Sequence, residues 1–177
     1  MKSLTEAPVA TAVRQVTLAC LVFTLSLLLA ACSQESTPQT QAAELPRELA
    51  VYKSPTCGCC QNWVDHATEA GFQATIHHPA DLTAEKLQRG IAMQYHSCHT
   101  AVAANGYVFE GHIPAKLIEQ FLQMPPEGAI GLAVPGMPLG SPGMELGEQF
   151  SPYDVVLLHD DGSSSVYESI ETAAEQY

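Results

Sequence analysis

The sequence is poor in basic residues: 7 Lys and Arg stand against 19 Asp and Glu, giving 177 residues a formal net charge of -12. Lys and Arg form no cluster, so the positive surface that a nucleic-acid backbone requires is missing. Cysteine is also scarce, since six residues are too few for a disulfide-dense miniprotein. At 46% apolar residues the chain is too apolar for wholesale disorder, and its length suits one globular domain with additional ends.

An apolar segment without charged residues occupies residues 16–31 and is short for a membrane-spanning helix. Because Lys2 and Arg14 precede it, residues 1–31 are predicted to be a secretory signal peptide. The segment ends in Leu29-Ala30-Ala31-Cys32, which resembles the lipobox of bacterial lipoproteins. That resemblance implies cleavage before Cys32 and acylation of its thiol. An ordinary signal peptide cleaved nearby is the alternative.

Residues 32–46 are rich in Gln, Ser, Thr, Pro and Ala and show no apolar periodicity, which predicts a flexible tether behind the anchor. In the lipoproteins that the lipobox resembles, a residue other than Asp after the acylated Cys favours the outer membrane, and Ser33 holds that position. We therefore expect a lipid-anchored periplasmic protein, held at the outer membrane, with residues 47–177 as its folded domain.

Apolar segments separated by Gly, Pro and Asn predict alternating strands and helices in this domain. Asn105-Gly106 is a strong signal for a two-residue hairpin turn. The predicted elements are a strand over residues 49–52, a helix from Cys57 to Gly71, a strand over 72–76, a helix from about Thr83 with Leu87 and Ile91 on its apolar face, a hairpin of 101–104 and 107–110, a helix from Pro114 to Leu122, and a final hairpin around 155–158 and 166–167.

Strand, Cys-x-x-Cys at a helix start, strand, helix, hairpin and helix is the order of the thioredoxin-like fold. We therefore predict an α/β, thioredoxin-like domain with a C-terminal loop and hairpin extension. Cys57 and Cys60 are its Cys-x-x-Cys pair. Thioredoxins carry a cis-proline that faces this pair just before the hairpin, and Ser97-Cys98-His99 holds that place here. The topology thus predicts that Cys98 and His99 face the Cys57–Cys60 turn.

The cysteines favour soft-metal binding over simple dithiol chemistry. A redox pair needs two sulfurs, whereas Cys59 adds a third beside Cys57 and Cys60, and Cys98 adds a fourth. Thiolates at a helix N-terminus are stabilised by its free amide donors. Four thiolates and the imidazole of His99 suit Cu(I), Zn or an iron–sulfur cluster, and bridging sulfurs allow more than one Cu(I).

Two methionines are further candidate ligands. Met137 and Met144 each follow Pro-Gly, so a rigid turn presents each thioether, which is a good Cu(I) donor. Packing beneath a long loop is the alternative. Among the histidines, His99 is the best candidate ligand. Two roles are open for His112: it closes the same end of the fold, or it caps a helix or is solvated. His96 is more simply explained as a loop residue.

Four motifs resemble the CopG-type periplasmic copper-resistance proteins, a family with a thioredoxin-like domain of poorly defined activity. They are residues 52–60 with Cys57-Gly58-Cys59-Cys60, residues 97–101 with Cys98-His99, residues 110–115, and residues 131–145. The resemblance implies copper binding by the Cys-x-Cys-Cys and Cys-His motifs and a role in copper tolerance.

The leading hypothesis is therefore a periplasmic protein that sequesters or relays Cu(I), one or several ions, through Cys57, Cys59, Cys60, Cys98 and His99, with Met137 and Met144 as further ligands. A metal-binding protein is favoured over an enzyme, although copper-linked redox chemistry stays open. The alternatives are a thiol–disulfide oxidoreductase using Cys57 and Cys60, and a structural zinc site. Candidate partners are copper ions, copper export or chaperone proteins, and the membrane through the anchor only. A Cys57–Cys60 disulfide, favoured by an oxidising periplasm, would gate metal binding.

Overall fold

The structure, a computed structural model, describes residues 47–177. The signal peptide, the acylation site Cys32 and the tether predicted for residues 1–46 lie outside the described residues, and the proposed division at residues 31 and 46 stays a prediction. Between residues 47 and 177, no helix combines the length and the hydropathy that crossing a membrane requires.

A single mixed sheet of seven strands, in the order β2-β1-β3-β4-β5-β6-β7, organises the described residues. The strands are β1 (Glu48–Lys53), β2 (Gln73–His77), β3 (His99–Ala103), β4 (Val108–Glu110), β5 (Ala129–Ala133), β6 (Tyr153–His159) and β7 (Ser164–Ile170). The helices are α1 (Gly58–Glu69), α2 (Leu82–Gln88) and α3 (Ala115–Gln123), with 3-10 turns at Met93–Tyr95 and Ala173–Gln176.

The strand directions confirm the predicted thioredoxin-like fold. Strands β1 and β2 are parallel and joined through α1, while β3 runs antiparallel to both β1 and β4. The β3–β4 hairpin is present as predicted, but its loop has three residues, 104–106, because the Ala103 N–H donates to the Tyr107 carbonyl. Gly106 closes this loop with a φ of +92°, which residues with a side chain rarely adopt. The C-terminal hairpin β6–β7 extends the sheet, which confirms that extension too.

Two apolar layers cover the two faces of the sheet. Alternating strand residues point to opposite faces, so Phe109 joins the larger core under α1 and α3 while Val108 joins a smaller cluster around Ile91. Trp63 of α1 is fully buried in the larger core, and its indole N–H donates to the Ile113 carbonyl over 2.9 Å. This bond ties α1 to the segment just before α3.

The structure differs from the sequence prediction at α2 and at β5. The apolar face predicted for α2 does not exist, because Leu87 is 50% exposed and Ile91 is buried only beyond the end of the helix. Lys86 faces the interior instead, at 2% exposed. Residues 129–133, to which the sequence analysis assigns no element, form β5 between β4 and β6. Gly131 permits this, since a Cβ there would overlap the Val108 carbonyl of β4.

Candidate metal centre

Residues 57–60, called here the cysteine turn, are the N-cap and first turn of α1, which follows β1 after a short connection. The Cys57 N–H donates to the Ser54 carbonyl over 3.2 Å, and the Cys57 side chain is the N-cap of α1. Its Sγ accepts the Cys60 N–H at 3.3 Å and lies 3.5 Å from the Sγ of Cys59. Cys57 and Cys60 form a disulfide bond, and the thiol of Cys59 is free.

Residues 97–100, called here the Cys98 segment, meet this turn because of strand register. His99, the first residue of β3, pairs with Lys53, the last residue of β1. The start of β3 therefore lies beside the end of β1, from which the cysteine turn begins. The sulfurs of Cys57, Cys59, Cys60 and Cys98 consequently lie within 4.8 Å of one another. The predicted convergence of the two cysteine segments is thus present in the fold.

A second group of donors shares Cys98. Its Sγ lies 2.9 Å from the Nε2 of His112 and 3.4 Å from the Nδ1 of His99. The three ligand atoms of this group all lie within 4.8 Å of one another. Cys98 therefore belongs to an all-sulfur group and to a sulfur–imidazole group, which makes its thiol the shared atom of the centre.

The orientation of His112 is set from outside the centre. Its Nδ1 lies 2.8 Å from the Pro142 carbonyl, and a carbonyl only accepts, so Nδ1 carries the proton. The Nε2 lone pair is then directed at Cys98. Fixing a ligand's tautomer through its other ring nitrogen is common at protein metal sites. The ring of His112 is fully buried.

His99 is also fully buried, and its Nε2 has no hydrogen-bond partner among residues 47–177. Its ring packs against Trp63 with 4.4 Å between centroids and against His112 with 5.0 Å. An unpartnered buried nitrogen is unusual in proteins and is consistent with a site shaped for a further ligand. A sulfur and imidazole donor set fits a soft or borderline metal.

Burial controls protonation on both sides of the shared thiol. Burial lowers the pKa of His99 well below its usual range and also lowers the pKa of His112. Both rings are therefore in the neutral form that binds metal. Burial, with the nearby Cys59, raises the pKa of Cys98 to about 12. A metal ion that binds Cys98 must therefore displace a proton.

A loop of residues 135–145, called here the Pro142 loop, closes over the cysteine turn. Gly143 lies so near that a Cβ there would be 2.6 Å from the Trp63 nitrogen and 2.8 Å from the Cys59 carbonyl oxygen. The side-chain amide of Asn62 donates to the Gly143 carbonyl over 3.5 Å. The same loop supplies the Pro142 carbonyl that orients His112.

The two candidate methionines lie on the Pro142 loop. Met137 is 54% exposed, and Met144 is half-buried in a turn where its N–H donates to the Ser141 carbonyl over 2.7 Å. The hydroxyl of Ser97 donates to the Gly136 carbonyl, which places the backbone beside Met137 next to the Cys98 segment. Metal binding by either thioether stays a prediction.

Histidines elsewhere have other partners. A ring nitrogen of His96 lies 2.9 Å from the Ile91 carbonyl, and His66 accepts the Ala115 N–H at 3.0 Å, which caps α3. His112 is the residue that sequence analysis undervalued, since nothing in its spacing from Cys98 shows that the two meet across the β3–β4 hairpin. Its place in the motif of residues 110–115 was the available signal.

These features define a thioredoxin-like protein with a partly buried cluster of thiols and imidazoles at the start of α1. Residues 95–144 match the family described as "Protein of unknown function, DUF411". Two solved structures, forms 1 and 2 of "Copper resistance protein copG", are each 40% identical to this chain. Form 1 covers 71% of this chain and 98% of its own, with a TM-score of 0.66, and form 2 covers 70% and 97%, with a TM-score of 0.65.

A comparison with curated proteins gave no match. Both matches cover more than two thirds of this chain. The chain belongs to the CopG family of copper resistance proteins, as its motifs predict.

Proposed function

We propose that this protein is a periplasmic lipoprotein that binds Cu(I) at the thiol–imidazole cluster and sequesters or relays it in copper tolerance. The observation that carries the proposal is the approach of Cys98 to within 4.8 Å of the sulfurs of Cys57, Cys59 and Cys60. Membership of a family whose solved members are named copper resistance proteins supports copper as the metal.

The chemistry of the cluster suits Cu(I). Thiolate sulfur and neutral imidazole are its preferred donors, and the buried rings of His99 and His112 are neutral at physiological pH. Because Cys98 belongs to both donor groups, its thiolate is placed to bridge two ions. We therefore expect the reduced protein to take up more than one Cu(I) per chain, with Met137 and Met144 as candidate additional ligands.

The Cys57–Cys60 disulfide limits this capacity. A disulfide sulfur lacks the negative charge with which a thiolate binds metal. Two-electron reduction by a dithiol breaks the S–S bond and supplies two thiols. We therefore expect the oxidised protein, with Cys59, Cys98 and the two histidines, to bind fewer Cu(I) ions than the reduced protein.

The test is metal analysis of the purified full chain, reduced without oxygen and titrated with Cu(I) against a competing chelator. The expected result is uptake with a copper–thiolate charge-transfer absorbance that depends on Cys57, Cys59, Cys60 and Cys98. Uptake that is indifferent to all four cysteines would contradict the proposal. Tight retention of one zinc ion, with copper excluded, would favour a structural zinc site instead.

A thiol–disulfide oxidoreductase is the second candidate. The Cys57–Cys60 disulfide at the start of α1 favours it, because this is the position of the redox pair in thioredoxin-like enzymes. Such an enzyme would reduce insulin at a rate that Cys98→Ala leaves unchanged. For the copper proposal, Cys98→Ala abolishes most Cu(I) uptake, so the one variant separates the two functions.

Attachment through Cys32 and location at the outer membrane are part of the proposal. Metabolic labelling with a palmitate analogue should mark the wild-type chain and leave Cys32→Ala unlabelled. Labelling that survives in Cys32→Ala would refute acylation at this residue, and fractionation of the two membranes tests where the labelled protein resides.

A further inference from the structure

A buried ion pair lies directly behind the Cys98 segment. The Nζ of Lys86 on α2 is 2.5 Å from the Oε1 of Glu110 at the end of β4. Their side chains are 2% and 0% exposed. Removing two charges from water is expensive, and such pairs are often no more stabilising than apolar residues of similar volume. The position of this pair therefore calls for an explanation beyond stability.

The carboxylate of Glu110 accepts hydrogen bonds from both ends of the Cys98 segment. Its Oε1 accepts the Ser97 N–H at 2.5 Å, and its Oε2 accepts the hydroxyl of Thr100. Ser97 and Thr100 are the residues immediately before and after Cys98-His99. One side chain thus fixes both flanks of the two candidate ligands.

Lys86 completes this arrangement. Its ammonium group donates to the Ser97 carbonyl over 2.6 Å as well as to Glu110. The N–H and the C=O of Ser97 are therefore both held by the ion pair. Gly111 permits the close approach of Ser97, since a Cβ at this position would be 2.7 Å from the Ser97 side chain.

We propose that Glu110, held and neutralised by Lys86, is the positioning residue of the centre, which clamps Ser97 and Thr100 so that the Cys98 thiol meets the cysteine turn. The copper part of this inference rests on the proposed function, whereas the thiol geometry does not. Neither Glu110 nor Lys86 touches the metal in this arrangement. Their role is to fix where Cys98 lies before metal arrives.

Two double variants test the clamp without leaving a buried charge unpaired. Lys86→Met with Glu110→Gln keeps both contacts, since the amide oxygen can accept the Ser97 N–H while the amide NH2 donates to the hydroxyl of Thr100. Lys86→Met with Glu110→Leu removes that oxygen, and both pairs lack the same ammonium group. Glu119→Gln, which breaks the surface pair with Arg47 away from the centre, is the control for losing a carboxylate.

The first measurement needs no copper. In full-length protein carrying Cys20→Ser and Cys32→Ser, with the Cys57–Cys60 disulfide closed, Cys59 and Cys98 hold the free thiols. Dibromobimane becomes fluorescent when it links two nearby thiols. We expect the glutamine pair and the Glu119→Gln control to cross-link at the wild-type rate and the leucine pair to cross-link several-fold more slowly. Equal rates for the glutamine and leucine pairs would overturn the clamp.

The second measurement is Cu(I) affinity of the reduced proteins by chelator competition. Loss of an outer partner of a metal ligand lowers affinity by about 10–100-fold, and we expect the leucine pair to fall in that range relative to the glutamine pair. If wild-type protein binds no Cu(I), the proposed function fails while the cross-linking result still decides the clamp. If the leucine pair does not fold, Thr100→Val removes one arm alone, and a wild-type cross-linking rate for that variant would overturn the inference.

Discussion

The cysteine turn takes its shape from neighbouring residues, whereas the Cys98 segment is shaped by residues far away in the sequence. Cys57 is held by the Ser54 carbonyl three residues before it and by the Cys60 N–H three residues after it. Cys98, by contrast, is flanked by bonds to Lys86 and Glu110 and is met by a histidine oriented from residue 142. Contacts within a helix start hold one half of the centre, and contacts between distant parts of the domain hold the other.

This difference indicates that only one half of the candidate centre depends on contacts between distant parts of the fold. Cys57 is the N-cap of α1, and Cys59 and Cys60 lie in its first turn. Cys98 joins them only when β3 is paired with β1 and the Pro142 loop is docked. Because a complete site requires the complete fold, a metal ion that binds all of its donors would stabilise the folded domain.

The largest effect on Cu(I) binding is expected from removing the thiol that belongs to both donor groups. We expect Cys98→Ser to lower Cu(I) affinity more than about 100-fold, above the range for loss of an outer partner, because both groups lose a ligand. Chelator competition on the reduced protein measures this.

Cys59→Ser is the matched control, since it removes a free thiol from the sulfur group alone. We expect Cys59→Ser to lower affinity less and to leave the sulfur–imidazole group occupied. Equal losses in the two variants would contradict the assignment of Cys98 as the shared ligand.

The local half of the centre was accessible from sequence because spacing determines it. Cys-x-Cys-Cys before an apolar helical pattern predicted a thiol cluster at a helix start, and that is where the cluster lies. The order of elements also predicted that Cys98 faces it, since antiparallel pairing of β1 with β3 follows from the fold class. The thioredoxin-like topology was therefore predictable in outline.

A second prediction concerns the close approach of the Pro142 loop to the cysteine turn and its contribution to stability. Gly143 has a φ of +83°, and a Cβ there would meet the backbone of Trp63 and Cys59. We expect Gly143→Ala to lower the free energy of unfolding by about 2–3 kcal/mol, because the clash adds to the conformational strain. Urea unfolding of the reduced, metal-free protein measures it.

Gly136 provides the control within the same loop. Its φ is +72°, and a Cβ there would meet nothing within 4 Å. Gly136→Ala should therefore show only the conformational part, about 1–2 kcal/mol. Equal losses would mean that the approach of Gly143 to the cysteine turn contributes no stability.

The distant half of the centre was not accessible in the same way, because its contacts have no sequence period. Lys86 lies on a helix where Leu87 and Ile91 suggested the buried face, and only the partner Glu110 makes a buried lysine tolerable. His112 likewise becomes a candidate ligand only through the Pro142 carbonyl. The Gly and Pro content around residue 131 concealed β5, since such residues usually mark loops.

A third prediction concerns the contribution of the His112 imidazole to Cu(I) affinity. His112→Gln should lower Cu(I) affinity by about tenfold while the cysteine turn keeps its sulfurs, since one donor of the second group is lost. His96→Gln changes a histidine whose ring bonds to the Ile91 carbonyl and should leave affinity unchanged. A wild-type affinity for His112→Gln would remove this residue from the centre.

The smallest expected effect concerns the contact between α1, which begins at the cysteine turn, and the start of α3, at His66. This ring lies on α1 and accepts the Ala115 N–H at the start of α3, just after the segment that holds His112. Burial lowers the pKa of His66 below its usual 6.5, although Glu145 and Glu69 oppose the shift. Between the lowered folded pKa and 6.5 the unfolded chain binds more protons, so this contribution to stability is complete above pH 6.5 and is lost as pH falls below it.

The measurement is unfolding of the metal-free protein by urea at pH 7.5 and at pH 5.5. The free energy of unfolding should fall less between these two pH values in His66→Gln than in the wild type. An unchanged difference between the two pH values would show that protonation of His66 does not weaken the junction between α1 and α3.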